Sequence, residues 1–278
     1  MSILVSPQQL YGFIHQGQPY TVLASIWEPG EGASFSQFSS LHIPTARFAD
    51  TAAAFAGLPG SQQGRNPLPD IDKLQGWVNS WGLRKDRPVI VYDKGHGLFA
   101  GRAWWILRWA GIQDVRILDG GLRAWREEEL PTMTGPGNIA MQSDVVVMAG
   151  NMPTATIDDV KSHTGMLIDV REPSRYAGRR ENLDLKAGHI PGSVNLPVRA
   201  LIHRDRSYRS KDQVLAACEA AGITAEDLAG AIIYSGSGNH SALAIAILEW
   251  AGLPVPRHYV SGWSQWSANP KHPVELGD

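Results

Sequence analysis

The chain has 278 residues, about twice the usual single-domain size, so two domains or one large one are expected. Hydrophobic residues make up 43% and charged residues 19%, which excludes a disordered or low-complexity chain. The 25 basic residues nearly balance the 27 acidic ones, and a formal net charge of -2 argues against a broad nucleic-acid or anionic-membrane surface. In chain order, His42-Ile43-Pro44 marks a turn, and Val89-Ile90-Val91-Tyr92-Asp93 reads as a buried strand running into a glycine-containing loop. An apolar helix follows, ending in Arg108-Trp109-Ala110-Gly111, and then Asp119-Gly120-Gly121-Leu122-Arg123-Ala124-Trp125.

The same signals recur in the second half. His189-Ile190-Pro191 repeats the first turn at an offset of 147, and Ala231-Ile232-Ile233-Tyr234-Ser235 repeats the strand at 142. Glu249-Trp250-Ala251-Gly252 and 260–266 repeat the last two landmarks, each at 141. Five landmarks in one order imply a duplication, with small loop insertions between copies. Around them, 166–170, 231–234 and 258–260 read as strands, while 211–221 and 241–250 carry helical spacing. Strands alternating with helices predict an α/β fold, each half a mostly parallel sheet with helices on both faces. The punctuation Gly135-Pro136-Gly137 and Gly150 divides the chain into domains 1–137 and 150–278.

One cysteine, Cys218, excludes an intramolecular disulfide and a multi-thiolate metal site. It sits in a helical stretch and reads as a small buried hydrophobe. The start lacks a basic region followed by an apolar core, and the longest apolar run, 242–253, is broken by Glu249 and too short to span a bilayer. A soluble cytoplasmic protein is the expectation.

In parallel α/β folds, chemistry sits where a strand's carboxyl end runs into a helix. The second such loop reads Ser235-Gly236-Ser237-Gly238-Asn239-His240-Ser241. Its glycines let successive amide N–H groups curl into one concavity, and the helix start adds its own positive end. Such a loop holds an anion, or stabilises one on its first residue, but it is equally a plain strand-to-helix turn. The spacing fits neither G-x-G-x-x-G nor a Walker A loop, and Ser235 does not stand in G-x-S-x-G. No arginine closes the loop as a phosphatase cradle would have, and only His240 is near enough in sequence to serve Ser235 as a base for acyl transfer.

The tandem layout resembles the two-domain rhodanese family, the thiosulfate and 3-mercaptopyruvate sulfurtransferases. The resemblance rests on Asp169-Val170-Arg171 with Arg175-Tyr176-Ala177-Gly178, on Gly188-His189-Ile190-Pro191-Gly192-Ser193-Val194-Asn195-Leu196-Pro197, and on 119–125. It implies a catalytically silent first domain, whose loop begins with Asp93, and a second domain carrying the active loop. In that family the loop opens with a cysteine whose thiolate accepts a sulfur atom as a persulfide. Here the matching residue is Ser235, which cannot hold a transferable sulfur. An engineered Cys-to-Ser change and a relative without the nucleophile both explain it.

The resemblance further implies that Arg175 grips the donor's anionic group, with Arg179 and Arg180 near it, and that Ser237 assists proton transfer. Gly236, Gly238, Asn239, His240 and Ser241 would complete the cradle, and His240 would add positive character. Neutral Gly236 and Ser237 directly after the first residue match the 3-mercaptopyruvate branch, whereas the Asp and His which that branch supplies from its first domain fall near Ala52 and Asn66. Asp169 is expected to orient Arg175 or the loop, or to act structurally. His42 and His189 read as turn-fixing residues, and Trp263 and Trp266 as packing. No metal or organic cofactor is implied. The expected partners are a small anionic sulfur donor and an acceptor that is cyanide, a thiol or a thioredoxin-like protein.

Overall fold

The computed structural model describes residues 2–277 and divides into two compact units. The first comprises Met1–Ala56, Pro69–Asn151 and Asp205–Ser207; the second comprises Gly57–Leu68, Met152–Arg204 and Tyr208–Asp278. The segment Gly57–Leu68, early in the chain, therefore packs with the second unit.

In the first unit, β1 (Leu4–Val5), α1 (Pro7–His15), β2 (Thr21–Ile26), α2 (Ala33–Ser40), β3 (Arg47–Asp50) and α3 (Thr51–Phe55) come first. Then follow α4 (Ile71–Ser80), β4 (Val89–Tyr92), α5 (Leu98–Trp109), β5 (Val115–Leu118) and α6 (Gly121–Glu127). The sheet is parallel throughout, in the order β1-β5-β4-β2-β3. All six residues of β2 and all four of β4 are buried, the signature of strands covered on both faces.

The second unit runs α7 (Ile157–Ser162), β6 (Leu167–Asp169), α8 (Pro173–Tyr176) and β7 (Ser193–Asn195), then a 3₁₀ turn at Val198–Leu201. It continues with α9 (Lys211–Ala220), α10 (Ala225–Gly230), β8 (Ile232–Tyr234), α11 (Asn239–Ala251), β9 (Arg257–Tyr259) and α12 (Gly262–Trp266). Its parallel sheet has the order β7-β6-β8-β9. A single bridge from Thr154 to His258 stands on β9 where β1 stands on β5, so the two sheets share one order. Helix α11 begins at Asn239, two residues before the apolar spacing does, because Gly238 at φ 85 already supplies the helix's entry turn. No helix among the described residues is long and apolar enough to cross a membrane.

The duplication is visible in its hydrogen bonds. Ile43 N–H donates to the buried Tyr92 hydroxyl at 3.2 Å, and Ile190 N–H donates to that of Tyr234 at 3.1 Å. His42 Nδ1 meets Phe38 O at 3.1 Å and His189 Nδ1 meets Tyr176 O at 2.8 Å, so both histidines fix turns. Trp263 and Trp266 are buried in the core of the second unit.

A closer tie lies at the end of each central strand. Leu122 N–H donates to Asp93 O at 2.9 Å, and Trp263 N–H donates to Ser235 O at 2.8 Å. The glycine preceding each donor, Gly121 or Gly262, has φ 58. A Cβ there would stand 2.5 Å from Asp93 O or 2.2 Å from Ser235 O. Only glycine lets the backbone approach that carbonyl. Gly252, at φ 85, meets open space instead. Gly252→Ala therefore costs about 1–2 kcal/mol for its left-handed backbone alone. Gly262→Ala adds a clash with backbone and costs at least about 1 kcal/mol more. Chemical denaturation of the two variants checks the order; equal losses would contradict it.

Candidate functional site

The loop 235–241 leaves the carboxyl end of β8, flanked there by β6 and β9. Its first two carbonyls are tied down, Ser235 O by Trp263 N–H at 2.8 Å and Gly236 O by Ser264 N–H at 2.9 Å. With its carbonyls held by α12, the loop keeps its amides for other partners. Among the described residues, the N–H groups of Gly236, Ser237 and Asn239 make no hydrogen bond. Unpaired amides beside a helix start favour a bound anion.

The first unit resolves the same geometry differently. Asp93 turns its own carboxylate back into its loop, where Oδ1 accepts from the N–H groups of Gly95 (2.8 Å) and Gly97 (3.1 Å). Oδ2 accepts from Phe99 (3.1 Å) and Ala100 (3.3 Å). His96 Nδ1 lies 3.2 Å from that carboxylate. Burial works to raise the Asp93 pKa, but His96 and the amides of Gly95 and Gly97 outweigh it and leave a net lowering. The amides of that loop already have their anion.

Ser235 is completely buried. Its Oγ accepts from Gly238 N–H at 3.1 Å and lies 3.1 Å from Ser241 Oγ. Ser241 Oγ lies 2.7 Å from His258 Nε2, and Ser241 and His258 are both fully buried. Ser237 Oγ accepts from Asn66 Nδ2 at 3.1 Å. Asn239 and His240 are half-buried in the first turn of α11.

Three arginines converge on Gly236. A Cβ built there would lie 3.0 Å from Arg65 Nη2, 3.8 Å from Arg175 Nη1 and 4.0 Å from Arg171 Cδ. Carboxylates anchor each of them. Arg171 grips Asp169 through Nε (2.9 Å) and Nη2 (2.6 Å), donates to Gly188 O at 2.7 Å and stacks 4.6 Å from the Trp263 ring centroid. Arg175 Nη2 donates to both Glu181 oxygens at 2.7 and 2.8 Å and to Asp184 at 3.1 Å. Arg65 pairs with Asp184. Burial works to raise the Glu181 pKa, but Arg175 and the N–H groups of Leu183 and Asn182 outweigh it and hold the carboxyl below its ordinary value. Arg175 Nη1 makes no hydrogen bond among the described residues, while Nε is buried without a partner.

The structure therefore brings Ser235, Gly236, Ser237, Gly238, Asn239, Ser241 and Arg175 into one place. Arg179 and Arg180 lie exposed on the surface. Asp169 pairs with Arg171 rather than with Arg175, because the two-residue spacing at the strand end folds Arg171 straight back onto it. Cys218 is buried, and burial pushes its thiol up to about 11, which disfavours the reactive thiolate near neutral pH. Sequence reasoning assigned no role to Arg65, Glu181, Asp184 or His258. For His258 a signal existed: its counterpart at an offset of 141 is Ile117, and a charged-type residue in place of a core aliphatic is visible in the repeat itself.

A family model described as "Rhodanese-like domain" matches residues 28–128 and 154–269. A "Probable 3-mercaptopyruvate sulfurtransferase" of Pseudomonas aeruginosa is 36% identical over 261 residues, covering 90% of this chain and 89% of its own. A "Thiosulfate sulfurtransferase" of Azotobacter vinelandii is 30% identical over 250 residues, covering 87% and 89%. The crystal structure of SseA from Escherichia coli, a 3-mercaptopyruvate sulfotransferase, superposes with a TM-score of 0.81 at 25% identity, over 95% of this chain and 100% of that one. The two matched segments fall on the two parallel sheets and together span well over half of the sequence, and the chain belongs to the rhodanese-like family.

Proposed function

We propose that the second unit is a sulfur-transfer site for thiosulfate or 3-mercaptopyruvate, and that residue 235 is its sulfur-carrying position. The observation that carries this reading is the pairing of unpaired loop amides with Arg175 Nη1 around the strand-end residue. The names of the relatives agree with it. Glu181 and Asp184 hold Arg175 through Nη2 and leave Nη1 for the donor's carboxylate or sulfonate. Arg65 faces the same glycine and adds charge to the entrance.

With cysteine at 235, the thiolate attacks the outer sulfur of thiosulfate; the S–S bond breaks, its electron pair leaves on sulfite, and a persulfide remains. With 3-mercaptopyruvate the C–S bond breaks instead, and the electron pair leaves on the enolate of pyruvate. Ser237, held by Asn66, stands beside residue 235 to pass a proton to that enolate. The loop amides hold the anion on residue 235 before and after transfer. A thiophilic acceptor (cyanide, a thiol or a thioredoxin-like protein) then takes the outer sulfur. No cofactor enters any step. The setting is the cytoplasm, where thiol acceptors stay reduced.

With Ser235, the chain binds the donor without turnover, since a hydroxyl forms no persulfide and its pKa lies far above that of a thiol. The first unit is silent because Asp93 fills its own cradle. The second unit carries the site, and because Arg65 and Asn66 belong to it the division into 1–137 and 150–278 expected from the sequence is corrected by the segment Gly57–Leu68.

Thiocyanate formation from cyanide tests this reading. The parent chain gives none with either donor, and Ser235→Cys gives turnover with at least one. Failure of both would leave a non-catalytic anion-binding module. In the Ser235→Cys background, Arg175→Gln removes a charged hydrogen bond to the donor and lowers kcat/KM by about tenfold to a hundredfold, mainly through KM. Unchanged kinetics would remove Arg175 from the donor site.

A further inference from the structure

Beneath the loop, Ser235 Oγ, Ser241 Oγ and His258 Nε2 form a buried chain with links of 3.1 and 2.7 Å. We infer that His258, acting through Ser241, is the proton acceptor for residue 235, a positioning residue that sets the ionisation of the nucleophile; this rests on the sulfur-transfer reading of that position.

The duplication shows that the fold does not need these polar groups. Ile233 pairs with His258 in the second sheet as Val91 pairs with Ile117 in the first. Ser241 stands in the first turn after its loop, where the first unit has Ala100. Ala100 and Ile117 are as buried as their counterparts, so the same packing is built from apolar side chains there. Burying a hydroxyl and an imidazole costs free energy unless they bond each other. Here they do so in a line that ends on residue 235.

The donors are ordered along that line. Ser235 Oγ accepts from Gly238 N–H, which leaves its own proton for Ser241 Oγ. The shortest contact of Ser241 is with His258 Nε2, which accepts its proton when the imidazole is neutral and protonated on Nδ1. Ser241 Oγ also lies 3.2 Å from Gly238 O, the longer alternative. When a thiol at 235 ionises, its S–H bond breaks and its proton passes to Ser241 Oγ. The Ser241 proton moves on to Nε2, and an imidazolium–thiolate pair results with no net change in charge.

The titratable groups on the neighbouring strands have partners of their own. On β6, Asp169 is bound by Arg171; on β8, the Tyr234 hydroxyl accepts from Ile190 N–H and meets Ser193 Oγ. On β9, Arg257 pairs with Asp159 of α7, and the Tyr259 hydroxyl donates to Gln265. Their side chains leave the strand on the face opposite to His258. On α11, His240 and Glu249 are half-buried. The segment before α7 meets His258 through backbone, with His258 N–H on Pro153 O and Ala155 N–H on His258 O.

The test reads thiolate formation directly and needs no sulfur donor. The ultraviolet absorbance of the thiolate is followed against pH in Ser235→Cys, with the parent chain as blank. The same profile is taken with His258→Gln or Ser241→Ala added. Gln preserves a hydrogen bond to Ser241 but takes no proton, so it rescues a merely structural role and not a relay. The expected result is an upward move of the midpoint by about one pH unit or more in both double variants, with about tenfold less thiolate on the acidic side. If His258→Gln does not fold, His258→Ile takes its place, since isoleucine is the residue the first unit carries there and it takes no proton. Profiles that coincide with that of Ser235→Cys would overturn the relay and leave the sulfur-transfer reading untouched. Loss of thiocyanate formation with the shift intact would do the reverse.

Discussion

Everything at this site hangs on one carbonyl. Ser235 O sits at the end of a wholly buried strand and is held by Trp263 N–H, with the backbone of Gly262 pressed against it more closely than any Cβ permits. Gly236 O is held next by Ser264 N–H, which turns the loop so that its amides, not its carbonyls, are left for other partners. The first unit repeats the arrangement with Gly121 and Asp93 O. An anion cradle is thus a by-product of how these sheets terminate, and what differs between the units is the anion.

In the first unit that anion is internal. Asp93 places its own carboxylate on four amides of the loop. In the second unit the same position is an uncharged hydroxyl, and positive charge gathers in front of it instead. Arg65, Arg171 and Arg175 are matched by Asp169, Glu181 and Asp184, so the cluster is neutral as a whole, but the charges are not evenly spread. The carboxylates hold the guanidinium groups from the side away from Gly236, and Arg175 Nη1 faces that glycine.

Much of this was legible in the sequence because duplication writes the same pattern twice. The offsets of 142 at the strand and 141 after it place a single-residue difference in the loop, and the structure has it there: three residues stand between Asp93 and Gly97, and two between Ser235 and Gly238. The turn histidines and the buried strands followed from local chemistry. The arginine cluster did not, because Arg65 reaches Gly236 from far along the chain, and Glu181 and Asp184 lie in an irregular segment whose spacing predicts no partner. The role of Asp169 stayed open between orienting Arg175 or the loop and a structural use, because sequence separation does not say which arginine a strand end turns toward; the pair with Arg171 is the structural use. His258 was overlooked although the comparison with Ile117 was available; a three-residue strand carries too little pattern to draw attention to one polar side chain.

The central claim is that residue 235 is where sulfur lands. Mass spectrometry of the Ser235→Cys protein after brief exposure to thiosulfate or 3-mercaptopyruvate tests it most directly. The account predicts one added sulfur atom on the peptide containing residue 235, removed by cyanide, and none on the peptide containing Cys218. Sulfur on Cys218, or on neither peptide, would contradict it.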